Sequence, residues 1–128
     1  MNSKTVVETT GQAIKESNKV LIQELIKDLE EKGIKPVIAV NGEVKKLTLI
    51  HERELQDFYK ILEENGEEKN NFCVVEADKT DYSSTFYTKT GNAIVVCKTS
   101  GKIREYHAGN NSKWLAEFVS DLNNNFFK

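Results

Sequence analysis

Residues 92–98 constrain the fold more than any other stretch of this chain. The run is apolar at five successive positions, from Ala93 to Cys97, and it contains no proline. Gly91 precedes it, and the turn-forming residues 99–101 follow it. An unbroken apolar run bounded by turn residues is typical of a strand buried on both faces. We therefore expect it near the centre of a sheet, with the other strands beside it and the helices covering it.

Three segments show the apolar period of amphipathic helices. The first spans residues 12–32 and ends at Gly33, a residue suited to the left-handed position after a helix. The second carries Leu or aromatic side chains at positions 55, 58, 59 and 62 and ends near Gly66. The third spans residues 112–124.

Strands are predicted between the helices. Asn41 and Gly42 form a two-residue hairpin sequence, because both central positions of that turn favour positive φ. Downstream of residue 71 the connections are short, which requires antiparallel neighbours, since a parallel pair needs a long crossover. The predicted strands are residues 37–40, 44–50, 72–77, 82–88, 92–98 and 102–107.

The order α-β-β-α-β-β-β-β-α predicts an α+β fold. We expect a single layer of antiparallel sheet with five or six strands, and three helices packed mainly on one face. A length of 128 residues fits one domain, 1–128, in which residues 1–10 could form a flexible N-terminus.

Composition narrows the classes of function. The net charge of −2 gives no basic surface for nucleic acid, so no nucleic-acid partner is expected. No run approaches the roughly 20 apolar residues of a membrane span, and no signal peptide is recognisable, so a cytoplasmic protein without membrane contact is expected. Cys73 and Cys97 lack metal-binding spacing and are predicted to be reduced, buried thiols. A disulfide between neighbouring strands is the alternative.

No recognised catalytic motif occurs in the chain. It contains no nucleophile elbow, no P-loop and no dinucleotide fingerprint, so neither an enzyme nor a cofactor is expected. A metal-dependent enzyme is kept as an alternative, with His51, His107, Glu76 and Asp78 as its candidate residues.

One charged stretch stands out. Residues 63–81 hold seven acidic residues and two lysines, a net charge of −5, which leaves the remainder near +3. Such asymmetry is typical of a solvated acidic edge or of a docking surface for a basic partner. The aromatic residues that follow, including Phe86, could anchor such a partner. The predicted partner-binding residues are Glu63, Glu64, Glu67, Glu68, Asp78, Asp81, Tyr82 and Tyr87.

The helix-hairpin-helix-meander-helix order resembles the layered folds of roadblock and profilin-like proteins, which scaffold and dimerise. The size and charge of the chain also resemble those of small bacterial immunity proteins, which bind and block a toxin. Neither resemblance includes a motif that assigns a residue. The first prediction is a cytoplasmic protein-binding module, an inhibitor or immunity-type protein that blocks a basic partner such as a nuclease toxin. The alternatives are a dimeric scaffold, with residues 82–88 as its exposed strand, and the metal-dependent enzyme. The oligomeric state is left open.

Overall fold

The structure is a computed structural model, and it describes residues 16–40 and 42–128. The predicted flexible residues 1–10, residues 12–15 of the first predicted helix and the hairpin residue Asn41 lie outside the described residues. The helices are α1 (Glu16–Glu31), α2 (Glu52–Glu64) and α3 (Trp114–Asn123). The strands are β1 (Pro36–Val40), β2 (Phe72–Asp78), β3 (Thr90–Cys97) and β4 (Ile103–Gly109), and a short 3₁₀ turn, Lys69–Asn71, leads into β2.

The sheet is antiparallel throughout, in the order β1-β2-β3-β4. Strand β3 contains the apolar run and pairs with β2 on one side and β4 on the other, so that Val95 lies opposite both Val74 and Arg104. Residues 93–96 are at most 1% exposed. The α+β class, the three helices and the single antiparallel sheet are therefore confirmed. Among the described residues the sheet has four strands, fewer than the five or six predicted.

Helices cover both faces of the sheet. Alternate side chains of β2, such as Val74, pack in a core cluster with residues of α2 and α3. The intervening side chains, such as Val75, pack against Leu29 of α1 in a second cluster. The prediction that the helices pack mainly on one face therefore holds only for α2 and α3. The reason is that β2 and β3 are apolar on both faces, and each face excludes water only beneath a helix.

Aromatic rings join α2 to α3 in the larger cluster. Phe58 of α2 lies 4.8 Å from Phe118 and 5.8 Å from Trp114 of α3, measured between ring centroids. The indole N–H of Trp114 donates to the Glu54 carboxylate at 3.0 Å, which satisfies the polar end of a buried ring. These contacts confirm the apolar faces predicted for both helices.

Two predicted strands are wrong. Residues 44–50 form no strand, because the Glu76 side chain accepts hydrogen bonds from the backbone N–H groups of Leu49 and Ile50. Residues 82–88 form no strand: residues 82–86 are turns and bends, residues 87 and 88 have no regular structure, and all seven are exposed. There the Asp81 carboxylate accepts from the backbone N–H of Ser83, a local bond that competes with strand pairing.

The two cysteines are buried and free, and they lie on opposite faces of the sheet. Cys73 belongs to the cluster beneath α1, whereas Cys97 belongs to the cluster beneath α2 and α3. This placement excludes the alternative of a disulfide between them. None of the described helices has the length and apolar character that crossing a membrane requires.

Candidate functional site

The loop between β2 and β3, residues 79–89, presents three exposed aromatic rings, and we call it the aromatic loop. Phe86 is 92% exposed, whereas Tyr82 and Tyr87 are each about half exposed. The two tyrosine rings pack edge to face with centroids 5.1 Å apart. A phenyl ring left almost wholly in water contributes nothing to folding, so Phe86 is available for contact with a partner.

Hydrogen bonds fix both ends of the aromatic loop. The backbone N–H of Lys79 donates to the carbonyl of Thr90 at 2.8 Å, and the N–H of Thr90 donates to the Thr80 hydroxyl at 3.0 Å. At the other end, the carbonyl of Lys89 accepts from the N–H of Asn110 at 3.1 Å. The loop is therefore anchored to the sheet although its aromatic side chains face solvent.

Asp78, the last residue of β2, is the main polar anchor of this loop. Its carboxylate accepts from the Thr80 N–H at 3.0 Å, from the Thr48 hydroxyl at 2.8 Å and from the Tyr82 hydroxyl. Partial burial alone raises the pKa of Asp78, but the bonds from Thr80, Tyr82 and Thr48 outweigh it and lower the pKa. Two predicted partner-binding residues, Asp78 and Tyr82, are thus in direct contact.

Asp81 supplies the negative charge within the loop. Its carboxylate accepts from both the side chain and the backbone N–H of Ser83, and these bonds lower the pKa of Asp81. The carboxylate is therefore ionised at neutral pH. Lys79 and Lys89 also belong to this loop, so residues 79–89 carry two basic side chains and one acidic side chain, a net charge of +1.

The four predicted glutamates lie near the other end of β2. They belong to the end of α2 and to the connection that follows it, just before β2 begins at Phe72. We call Glu63, Glu64, Glu67 and Glu68 the glutamate group. Because β2 runs seven residues from Phe72 to Asp78, its length of about 20 Å separates this group from the aromatic loop. The predicted partner-binding residues therefore form two groups.

Glu76 lies between these two groups and is only 1% exposed. One carboxyl oxygen, Oε2, accepts from the N–H groups of Leu49 and Ile50 at 2.8 and 2.7 Å. The other, Oε1, lies 2.9 Å from the Thr48 hydroxyl. Both oxygens are engaged inside the protein, so Glu76 offers no surface to a partner.

The candidate residues of the alternative metal-dependent enzyme do not come together in one site. His51 precedes α2 as its N-cap: its Nδ1 accepts from the N–H of Arg53 at 3.0 Å, and the Glu54 carboxylate accepts from the His51 N–H. His107 lies in β4 opposite Asn92. In the described part of the chain, no group of three or more His, Cys, Asp or Glu side chains is placed to hold a metal ion.

Sequence reasoning missed Thr48, which contacts both Glu76 and Asp78. No local signal could have identified it, since those contacts span 28 and 30 residues and its segment had been predicted as a strand. The sequence singled out Phe86 as an aromatic residue that follows the acidic stretch. Its exposure could not be predicted, because it depends on the conformation of the loop.

Comparisons with known proteins give no information about this site. No protein-family model matches the chain, and neither the curated proteins nor the solved structures contain a match.

Proposed function

We propose that this chain is a cytoplasmic protein-binding module that docks a partner on its aromatic loop and blocks it, as an inhibitor or immunity-type protein does. The observation that carries the proposal is the 92% exposure of Phe86 on a loop anchored at both ends. Aromatic side chains are enriched at protein interfaces, where a few buried anchors supply most of the binding energy. Phe86 would enter an apolar pocket of the partner, with Tyr82 and Tyr87 beside it.

The restricted conformation of the aromatic loop supports this role. A flexible loop would lose conformational entropy on binding, at about 0.5–1.5 kcal/mol for each side chain that becomes fixed. Here the edge-to-face contact of Tyr82 with Tyr87 and the bond from Tyr82 to Asp78 already restrict the two tyrosines. Less freedom would be lost when the partner docks.

Charge supports a basic partner. The glutamate group places four acidic side chains at one end of β2, whereas in the aromatic loop Asp81 is outweighed by Lys79 and Lys89. Opposite charges across an interface mainly raise the association rate and select partners. We therefore assign the anchoring energy to the aromatic loop, and steering of the basic partner to the glutamate group.

The experiment is purification from the native host, followed by binding measurements with the captured protein. We expect a stoichiometric basic partner whose affinity falls roughly 30-fold with Phe86→Ala, the size of a hot-spot loss. Lysine substitution at Glu63, Glu64, Glu67 and Glu68 should slow association, most strongly at low salt.

Glu105→Lys is the matched control, because Glu105 is an exposed acidic residue on β4, a strand that belongs to neither group. A folded Phe86→Ala protein that binds the partner like the wild type would exclude the aromatic loop as the anchor. The absence of any stoichiometric partner would exclude the inhibitor function itself.

The dimeric scaffold has less support. Its predicted interface, residues 82–88, is not a strand. Strand β4 does lie at the edge of the described sheet, but Arg104, Glu105 and His107 project from it as exposed side chains. Charged edge strands oppose pairing with another chain. Light scattering at micromolar concentration tests this alternative, which requires a dimer.

A further inference from the structure

A cavity of about 320 Å³ lies at the end of the sheet where β2 begins, opposite the end that carries the aromatic loop. Its apolar walls are formed by Phe72, Cys97, Leu122 and Phe127. Phe72 and Cys97 are paired across β2 and β3, whereas Leu122 belongs to the last turn of α3. The volume lies within the range of about 300–1,000 Å³ that small-molecule sites have. The cavity can therefore hold a compact apolar group.

The chain reverses after α3, and this reversal closes one side of the cavity. Asn125 has a φ of 60°, and its N–H donates to the Leu122 carbonyl at 3.0 Å. Phe127 thereby returns to the sheet, where its ring lies edge to face with the Phe72 ring at a centroid distance of 5.7 Å. An aromatic or branched aliphatic group packs well against such rings.

One acidic and one basic side chain lie on the open side of this cavity. Glu67 and Lys128 line it, and both also line an adjoining cavity of about 220 Å³, so they lie at the junction of the two. Glu67 is partly exposed and Lys128 is exposed. Within residues 16–40 and 42–128, neither side chain takes part in an ion pair. A carboxylate and an ammonium group are thus available beside an apolar chamber.

The turn between β3 and β4 adds hydroxyl groups to the cavity. Thr99 Oγ1 lies 3.5 Å from Cys97 Sγ, and Ser100 Oγ accepts from the N–H of Lys102 at 3.2 Å. Because the Ser100 oxygen accepts there, its own proton can donate to a carboxylate. The adjoining cavity contributes three carboxamide side chains, those of Asn65, Asn123 and Asn125.

We propose that this cavity binds a free amino acid with an apolar side chain. The apolar side chain of the ligand packs between Phe72 and Phe127. Its ammonium group pairs with the Glu67 carboxylate, and its carboxylate pairs with the Lys128 ammonium and the Ser100 hydroxyl. A ligand with a single charge, or one without an apolar group, matches only part of this lining. The inference does not depend on the proposed function, because the aromatic loop lies at the other end of β2.

Titration of the full chain with L-phenylalanine and with L-leucine, followed through the NMR chemical shifts of the backbone amides, tests the inference. We expect saturable shifts at residues 97–101 and 122–128, with a Kd of about 1 mM or lower. Phenethylamine lacks the carboxylate of phenylalanine and 3-phenylpropionate lacks its ammonium group, so each should bind at least about fivefold more weakly. The absence of saturable shifts with both amino acids would overturn the proposal, as would equal affinity for phenylalanine and its two singly charged analogues.

Matched variants locate the bound amino acid. Glu67→Gln and Lys128→Gln should each raise the Kd for L-phenylalanine about fivefold, because each removes one charge from the junction. Glu68→Gln is the control, since Glu68 follows Glu67 in the chain but does not line either cavity, and it should change the Kd by less than about twofold. Phe86→Ala should leave the Kd unchanged. If Glu68→Gln or Phe86→Ala weakened binding as much as Glu67→Gln, the amino acid would bind elsewhere and the proposal would be wrong.

Discussion

The backbone N–H of Ile50 donates to the carboxyl group of Glu76 across 2.7 Å, although the two residues are 26 positions apart. Leu49 makes the same contact at 2.8 Å. A side chain of β2 therefore takes the place that a neighbouring strand would occupy. Residues 43–50 cross the sheet without joining it, and Thr48 is thereby positioned beside the anchor of the aromatic loop.

Glu76→Ala should strongly destabilise the fold. The variant leaves the N–H groups of Leu49 and Ile50 buried without their acceptor, and each unpaired donor costs about 1–3 kcal/mol. We expect the free energy of unfolding to fall by about 3 kcal/mol, measured by urea denaturation. Glu105→Ala is the control, since Glu105 is exposed, and it should change stability by less than about 0.5 kcal/mol. Equal effects of the two substitutions would refute the structural role of Glu76.

Phe58→Ala and Phe86→Ala should have opposite consequences. Phe58 is fully buried against the rings of α3, so its truncation should cost about 3–5 kcal/mol of unfolding free energy. Phe86 is 92% exposed, and its truncation should cost less than about 0.5 kcal/mol. Thermal unfolding of the two variants compares them directly. A large loss of stability in Phe86→Ala would mean that this ring packs against the fold and is not free to serve as an anchor.

Gly91→Ala should destabilise more than Gly66→Ala. A Cβ at Gly91 would lie 2.1 Å from the Ala77 carbonyl oxygen and 2.8 Å from a methyl group of Leu49, and the backbone oxygen can move only with its strand. We expect a loss of about 3 kcal/mol or more. A Cβ at Gly66 meets nothing within 4 Å, and the φ of +72° there costs only about 1 kcal/mol. Chemical denaturation that reverses this order would contradict the close approach of β2 to β3.

Stability should fall at alkaline pH, partly because of Cys73. Burial raises the pKa of the Cys73 thiol from 9.0 to about 11, although Lys98 lowers it slightly. The unfolded chain loses this proton at lower pH than the folded chain does. The contribution of Cys73 is therefore complete below about pH 9 and is lost as the pH rises toward about 11.

Urea denaturation across that range measures the effect. The wild type should lose about 2 kcal/mol more than Cys73→Ala, whose remaining decline comes partly from Tyr59, a phenol whose pKa burial and Glu43 raise to about 12. Parallel pH profiles for the two proteins would show that the thiol is not buried as described.

Much of the fold was predictable because its signals are local. The period of Leu55, Phe58, Tyr59 and Leu62 predicted α2, and all four side chains are buried. Residues 44–50 and 82–88 also alternate like strands, but alternation shows only that a segment could pair. Whether it pairs depends on which group accepts the hydrogen bonds of its N–H groups. Here the acceptors are the side chains of Glu76, for the first segment, and Asp81, for the second.

The candidate site was predictable in part. The sequence indicated one docking surface for the acidic residues and the aromatic residues, whereas in the structure the length of β2 lies between the glutamate group and the aromatic loop. The contacts of Asp78 with Thr48 and Tyr82 did not follow, because hydroxyl groups carry no periodic signal.

By itself, the sequence determined the α+β class, the three helices and the buried strand at residues 92–98, because apolar periodicity specifies which faces leave water. The tertiary structure alone decided that α1 covers the opposite face of the sheet, that residues 44–50 remain outside it and that Phe86 is exposed. These outcomes depend on contacts between residues far apart in the chain. A buried acid such as Glu76 acquires its partners only when the segments that carry them come together.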